Sequence, residues 1–349
     1  MRGPSALAAL ASSWRRLQKE ANAGPTIRLE WVQAYVETLG SAAPDSLQVV
    51  TVETADGIVA LAPMLRKKRH GVPVLESIGV EETNEPADLL YGSSDALRNL
   101  VVALCRCRCP LVFPRLSLGG PTLDVLRDTI RYRGVMVTRP GAALPSVVLG
   151  STTDSLLNAG RRSDMRRARR KAQKLGAVSV KILSPEPSEL PTLLETALQI
   201  EASGWKGRNR SALLNEHPNL AFFRRYFTLA AESRILRLAV LNIAGEPAAM
   251  QLAVECGGAL WLLKIGYDER FANCTPGGLL MWEVLASAVE RGLNRCEFLG
   301  NAEPWTKLWT TLECPCASAH AVPIGFASVV YLAARGAKSV LATRQGLPA

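Results

Sequence analysis

The chain of 349 residues contains no run approaching the roughly 20 apolar residues of a membrane-spanning helix. Its opening stretch, Met1 to Trp14, carries a short alanine-leucine run but no apolar core of secretory-signal length, so a cytoplasmic setting is expected. Eight cysteines occur without one C-x-x-C pair: Cys105, Cys107 and Cys109 alternate with arginine, Cys314 and Cys316 flank a proline, and Cys256, Cys274 and Cys296 stand singly. Without an export signal that pattern argues against a disulfide framework, and it lacks the paired spacing of structural zinc. Small buried hydrophobes and no metal are expected. Only three histidines are present, His70, His217 and His320, and their dispersal gives neither a Ser-His-Asp set nor a metal arrangement. Acidic residues are the minority, 31 Asp+Glu against 41 Lys+Arg, and the net charge of +10 calls for an anionic partner. Phosphate-bearing cofactors, nucleic acid and acidic membranes all meet that description. With 48% apolar residues, the chain has the material for a folded core in two domains or one large one.

Read in order, Ser12 to Glu20 is a basic helical lead-in and Leu29 to Leu39 an amphipathic helix ended by Gly40. Leu47 to Val52 and Ile58 to Leu65 read as strands joined through Ala55-Asp56-Gly57, followed by a basic turn, Arg66 to His70. A strand (Val74 to Gly79), a helix (Ser94 to Arg108), a strand (Leu111 to Leu118), a helix (Leu123 to Arg133) and an extended segment within Pro140 to Gly150 complete the first half. A basic helix from about Ser163 to Leu175 follows. Arg161, Arg162, Arg166, Arg167, Arg169, Arg170, Lys171 and Lys174 face a single acid there, Asp164. Helical spacing sets Arg162, Arg166, Arg169 and Arg170 on one broad face, suited to phosphates or to a solvated connecting helix. Then come a strand (Val178 to Ile182), a helix (Glu189 to Ala202), the loop Ser203 to Arg208, a helix (Leu220 to Glu232) and a three-strand meander: Arg237 to Ile243, Ala248 to Cys256, Leu260 to Tyr267. Setting Val52 against Val240, Gly57 against Gly245 and Ala60 against Ala248 gives both halves one strand-turn-strand order, which suggests duplicated lobes.

The densest signal lies between Ala259 and Gly300. An apolar strand meets a polar loop (Glu269 to Cys274), then Thr275-Pro276-Gly277-Gly278, a helix from Leu279 to Arg291 and a short strand from Cys296 to Leu299. That order predicts two parallel strands joined by a right-handed crossover. Thr275 suits the N-cap and Pro276 the first helical position. Two glycines in a first turn cost helix stability, about 1 kcal/mol each relative to alanine in an interior. They let a ligand or another backbone approach, so the turn reads either as a pyrophosphate cradle or as a tight loop needing backbone freedom. The first half has no counterpart of this turn, which assigns any cofactor to the second.

The strings Gly204-Trp205-Lys206-Gly207, Lys264-Ile265-Gly266-Tyr267-Asp268-Glu269, Thr275-Pro276-Gly277-Gly278-Leu279-Leu280 and Glu297-Phe298-Leu299-Gly300-Asn301-Ala302-Glu303-Pro304-Trp305 resemble the GCN5-related N-acetyltransferase (GNAT) superfamily, in its CelD-like, cellulose-biosynthesis branch. That branch is similar to FemAB-type transferases, which carry two such lobes in tandem. The resemblance is specific from about Arg161 to Trp309 and faint before it. Asn301 stands where the branch commonly has an acid, and Trp305 is separated from Lys307 by Thr306, departures that bear on which residue handles the proton. The resemblance implies a mixed α/β fold of tandem GNAT-like lobes, each a mostly antiparallel sheet flanked by helices with a β-loop-α-β crossover. Its expected divisions are a degenerate N-terminal lobe over 1–150, the acetyltransferase lobe over 151–322 and a C-terminal amphipathic helix and tail over 323–349.

By the same resemblance the donor is acetyl-CoA or another acyl-CoA. Its diphosphate is expected at Arg270, Cys274, Thr275, Gly277 and Gly278, and its pantetheine arm along Leu263 and Ile265. Glu303 is the first candidate for general base, with Asp268 and Glu255 behind it, and Tyr267 is the candidate donor of a proton to the departing thiolate. Lys264, unusual in an apolar strand, is grouped with Gln251 on the acceptor side, joined there by Trp205, Lys206, Trp305 and Lys307. The expected activity is N- or O-acyl transfer to a small-molecule or saccharide-type acceptor in polysaccharide biosynthesis. The alternatives are a FemAB-like aminoacyl transferase using charged tRNA and a non-catalytic component of a polysaccharide-assembly complex. Nucleic acid is a partner only in the tRNA reading. The C-terminal stretch Phe326 to Leu341, with Arg335 and Lys338, is expected to dock on the body rather than on a membrane surface.

Overall fold

The computed structural model describes residues 1–150, 156–210, 212–325 and 328–334, with the side chains of Trp205 and Lys206 outside that description. In chain order the elements are α1 (Pro4–Glu20), α2 (Leu29–Glu37), β1 (Leu47–Thr54), β2 (Gly57–Arg69), β3 (Val72–Ser77), α3 (Val80–Thr83), β4 (Leu90–Tyr91), α4 (Ser94–Cys105), β5 (Leu111–Ser117), α5 (Thr122–Ile130) and β6 (Gly134–Val148). There follow α6 (Ala159–Leu175), β7 (Val178–Leu183), α7 (Leu190–Ala202), α8 (Trp205–Arg208), α9 (His217–Glu232), β8 (Leu236–Ile243), β9 (Glu246–Cys256), β10 (Ala259–Tyr267), α10 (Pro276–Glu290), β11 (Arg295–Glu297) and β12 (Glu313–Pro323).

Contacts divide the chain into two units. One holds Met1–Val36, Gly40–Ala142 and the chain from Pro315; the other holds Glu37–Leu39 and Ala143–Cys314. The division falls at Ala143 and Pro315, where β6 and β12 each join a sheet by long-range pairing.

The first unit's sheet runs β1-β2-β3-β5-β12 and ends on the first part of β6. Its β1–β2, β2–β3 and β5–β12 ladders are antiparallel. Strands β3 and β5 run parallel, with α4 between them in sequence. The second unit's sheet starts on the last part of β6 and continues β11-β10-β9-β8-β7. It too is antiparallel except for one parallel pair, β10 and β11, bridged by α10. Three antiparallel strands, a crossover helix and a parallel strand thus occur twice, which is the duplicated mixed α/β architecture expected. The turn equivalence is one residue off the sequence echo: β1 and β2 are joined across Ala55-Asp56, and β8 and β9 across Ala244-Gly245.

Several local expectations change. Arg66 to Arg69 are strand rather than turn, because they pair with Val72 to Leu75 and the chain reverses at His70-Gly71, both with positive φ. The ammonium of Lys67 and the guanidinium of Arg69 there meet the carboxylate of Glu76, which is almost fully buried. Part of the expected loop Ser203 to Arg208 is the short helix α8. The C-terminal helix is described only over residues 328–334, and the rest of the expected Phe326 to Leu341 helix lies outside the described residues.

The two crossover helices begin differently. Ser93 caps α4, its hydroxyl accepting from Ala96 N–H, and Asp95 sits in the first turn. Thr275 precedes α10 with a left-handed backbone (φ 50°, ψ 51°) and makes no side-chain cap bond, contrary to the expected N-cap. The left-handed conformation turns the hydroxyl away from the amides it would have to reach. Ser93→Ala should therefore cost about 1 kcal/mol in urea unfolding. Thr275→Ala should cost less than about 0.5 kcal/mol, and Thr275→Gly should raise stability, because a β-branched residue leaves the left-handed region.

Candidate functional site

The site is built where β10 parts from β11. Their ladder covers three pairs, Ala259 with Arg295, Leu260 with Cys296 and Trp261 with Glu297. Just beyond it β10 carries a bulge: Leu262 pairs with Ala253 of β9 and Lys264 with Leu252, leaving Leu263 as the extra residue. A bulge bends its strand and steepens its twist, and β11 continues toward β6 instead, Phe298 N–H donating to Pro145 O at 3.0 Å. The arm-binding candidates Leu263 and Ile265 lie on the stretch of β10 that has passed its last β11 partner.

Helix α10 opens at the end of this stretch. The first-turn amides of an α-helix lack intrahelical acceptors; Pro276 has no N–H, so Gly277 and Gly278 present the first two. A methyl group added at Gly277 would meet only Tyr267 Cδ1, at 3.7 Å. One at Gly278 would lie 3.0 Å from the Thr275 methyl and 3.7 Å from the Met165 sulfur. Met165 belongs to α6, so the basic helix lies against the front of α10. Below the first turn, α10 buries Leu279, Leu280, Met281, Val284 and Leu285 on the sheet. Cys274 is buried immediately before Thr275, which is itself exposed.

Along α6, several cations are already matched. Arg169 pairs with Glu283 of α10 at 2.5 Å, Arg167 with Asp164, Arg161 donates to Lys307 O and Arg162 to Leu157 O. Arg166, Arg170 and Lys174 are exposed, have no ion-pair partner among the described residues and recur every fourth residue. That spacing makes one stripe about 12 Å long, opposite Ala168 and Ala172, which are buried.

The remaining candidates separate clearly. Asp268 is buried and caps the turn that follows it. Its Oδ1 accepts from Arg270 N–H at 2.9 Å, and its Oδ2 accepts from the Arg270 guanidinium at 2.7 and 2.8 Å. Burial pushes its carboxyl up, but the Arg270 hydrogen bonds and charge outweigh that and hold it below the usual carboxylate range. Arg270 also pairs with Glu246 at 2.9 Å, so two carboxylates compete for the charge expected to meet a diphosphate. Glu255 is paired with Arg237 and Arg291. Glu303 is exposed, with Oε2 accepting from Trp305 Nε1–H at 2.9 Å; Trp305 packs edge-on against Phe298, and Lys307 is exposed. Tyr267 is half-buried beside Gly277.

Lys264 and Gln251, expected together, lie on opposite faces of the sheet. Residues paired across strands share a face. Lys264 pairs with Leu252 and sets its ammonium 4.1 Å from the ring centre of Phe223 on α9. Gln251 pairs with Ile265 and lies under α10, Nε2 being 3.8 Å from Met281 Sδ, while its buried Oε1 has no hydrogen-bond partner among the described residues. Trp205 and Lys206 open α8, and their side chains lie outside the description. The sequence reading missed the glycine contacts: a methyl on Gly266 would sit 2.6 Å from Glu201 Cα, and one on Gly204 2.7 Å from Tyr267 O. These close approaches seat the end of α7 against the end of β10. The three glycines Gly204, Gly207 and Gly266 were the available signal. Among the described residues no group of three or more His, Cys, Asp or Glu is arranged to hold a metal ion.

Residues 159–307 match the family model of the acetyltransferase (GNAT) domain. That span holds α6, the bulged β10, the front of α10 and Glu303. No curated protein matches in sequence. Among solved structures, the C-terminal domain of a protein named as a lysylphosphatidylglycerol synthetase from Agrobacterium fabrum is similar at TM-score 0.58 and 13% identity, covering 96% of each chain. L-PGS from Bacillus licheniformis is similar at TM-score 0.56 and 10% identity, over 93% of this chain and 96% of that one. FemX is similar at TM-score 0.57 and 10% identity, over 88% and 95%. At these identities the likeness concerns the fold.

The Asp268–Arg270 lock should be visible in stability against pH. A carboxyl held below its unfolded value stabilises the fold above the unfolded pKa of about 4, and that contribution is lost as pH falls through the lower folded value. Asp268→Asn should therefore be less stable than the parent by about 1 kcal/mol at neutral pH. The gap should close in urea titrations below about pH 4.

Proposed function

We propose that the chain is an acyl-CoA-dependent N- or O-acyltransferase, with the donor bound by the second unit. One observation carries this reading: the uncapped front of α10, with Gly277 and Gly278, stands at the end of the strand that has parted from its parallel partner. The amides of Gly277 and Gly278 and the positive end of the helix suit a diphosphate. The extended backbone around Leu263 and Ile265 suits an amide-bearing arm. When bound, the thioester supplies an activated acyl group; the chain supplies position and proton transfer. Glu303, exposed and oriented by Trp305, takes the proton from the attacking amine or hydroxyl. Tyr267, beside the glycine turn, gives a proton to the departing sulfur. Asp268 is a positioning residue, since its charge is committed to Arg270. Lys264 on the α9 face and Trp305 on the far side of the cleft flank the acceptor, for which a small molecule or a saccharide of polysaccharide synthesis is the proposed class.

Purified protein should bind acetyl-CoA saturably in calorimetry. Gly277→Asp has room for its Cβ and keeps a favourable residue at the helix front, yet should weaken binding about tenfold or more by repelling the diphosphate. Glu303→Gln should keep the binding and lose about a hundredfold in turnover. A parent protein that does not saturate at any ionic strength removes the reading.

The stripe of Arg166, Arg170 and Lys174 favours a second reading, aminoacyl transfer from charged tRNA. Like charges four residues apart destabilise a helix by a few tenths of a kcal/mol per pair, which a phosphodiester backbone would offset. Here tRNA binding should weaken steeply with salt. The Arg166→Ala/Arg170→Ala/Lys174→Ala variant should reduce the slope of log K against log salt by about 3. An unchanged slope rejects this reading and leaves the acyl-CoA reading standing.

A further inference from the structure

Apolar side chains face solvent at one end of the first unit. Ile324 is 81% exposed, Tyr132 78%, Val329 65% and Val135 50%. They are brought together by pairing rather than by sequence. Ile324 N–H donates to Arg133 O at 2.7 Å, which sets Ile324 across from Arg133, the residue after Tyr132. Val135 lies two residues further along the same strand edge. Gly325 O accepts from the amides of Ser328 and Val329, so the helical residues 328–334 are tied to the residue after Ile324. That short helix is pinned by its opposite side. Tyr331 is buried against Val72, Val74, Val112 and Val322, and its hydroxyl lies 2.6 Å from His320 Nδ1. The pinning leaves Val329 and Val330 outward.

Lone exposed hydrophobes need no explanation, but several carried by backbone segments hydrogen-bonded to one another do. Its rim is cationic. Arg131 and Arg133 are exposed, and the Arg131 guanidinium sits 4.5 Å from the centre of the Tyr132 ring. The sequence from Cys314 to Ala334 contains no Asp or Glu to oppose them. Aliphatic tips, an aromatic at the margin and arginines around them are the chemistry of a surface that rests in the headgroup layer of an anionic bilayer.

The geometry points to this face of the first unit as a docking surface for an acidic phospholipid bilayer, independent of the α10 site and of the reading given for it. Contact would place the aliphatic side chains of Ile324 and Val329 below the headgroups, with Arg131 and Arg133 on phosphates. Such attachment is peripheral and reversible, because so few apolar side chains give weak partitioning without the charge term.

The test is co-sedimentation of the full chain with vesicles of phosphatidylcholine alone, or of phosphatidylcholine with about a third phosphatidylglycerol. Binding is expected to the anionic vesicles and to fall with salt. It should drop about tenfold or more in Ile324→Glu/Val329→Glu, and roughly fivefold for each of Arg131→Ala and Arg133→Ala. These positions are exposed, so the variants should keep the parent Tm, and Ile324→Ser/Tyr132→Ser gives a second, uncharged check. The Arg166→Ala/Arg170→Ala/Lys174→Ala variant should bind vesicles like the parent. Three results overturn the proposal: equal binding to neutral vesicles or none to anionic ones, loss of binding in the α6 variant with retention in Ile324→Glu/Val329→Glu, or a dimer in light scattering that Ile324→Glu dissociates.

Discussion

The second unit depends on the early end of one ladder. After three parallel pairs the extra residue Leu263 bends β10 away from β11. The donor-side candidates follow that divergence: β10's last residues, the turn held by Asp268 and Arg270, and the first amides of α10. Glycines serve the same purpose from both sides. Gly266 and Gly204 let the end of α7 close on β10, while Gly277 and Gly278 leave the helix front without side chains of its own. An opening between parallel strands is stable here because bulk apolar packing under α10, from Leu279 to Ala288, holds the strands that remain paired.

The first unit repeats the same order of strands and closes the equivalent place. Beyond the last β3–β5 pair, Ala87 N–H donates to Arg115 O, and Arg115 donates to Asn84 O and Ala142 O. The segment between β3 and α4 therefore occupies the side of β5 that β3 leaves. Helix α4 is capped by Ser93, whose hydroxyl takes the Ala96 amide, and carries Asp95 in its first turn, whose charge opposes an anion there. One topology thus supports an open crossover and a filled one, and the difference lies in a few residues before each helix.

Charge is partitioned with similar economy. Most cations near the glycine turn are matched, Arg270 by Asp268 and Glu246 and Arg169 by Glu283. The excess positive charge is concentrated instead in exposed stripes, along α6 in one unit and around Tyr132 in the other. Exposed unmatched cations cost little folding stability in water and are available to phosphate, whereas a buried unmatched cation would be expensive.

How much was legible follows from the range of each interaction. The meander β8-β9-β10, the crossover through α10 and the basic helix α6 could be read directly. Alternation, Gly-containing turns and helical spacing are local, and in the second half each agrees with its neighbours. The basic run Arg66 to Arg69 misled as a turn, because its strand character comes from Val72 to Leu75 across the hairpin and from Glu76 beneath it. Thr275 misled as a cap, because capping depends on a backbone angle that residue type does not report. Strand β12 gave almost no signal: Cys314 to Val322 is mostly small residues with one proline, and it is a strand because β5 supplies its partners. Lys264 and Gln251 were grouped on one side for a related reason. The extra residue Leu263 shifts the alternation by one, and a bulge is invisible until the register is known. The sequence by itself determined the order of elements, the glycine turn and the sign of the charge. Only the tertiary structure decided which distant strand closes each sheet, where the ladder stops and which carboxylate each arginine takes, since all three are choices among many near-equal local partners that long-range packing alone resolves.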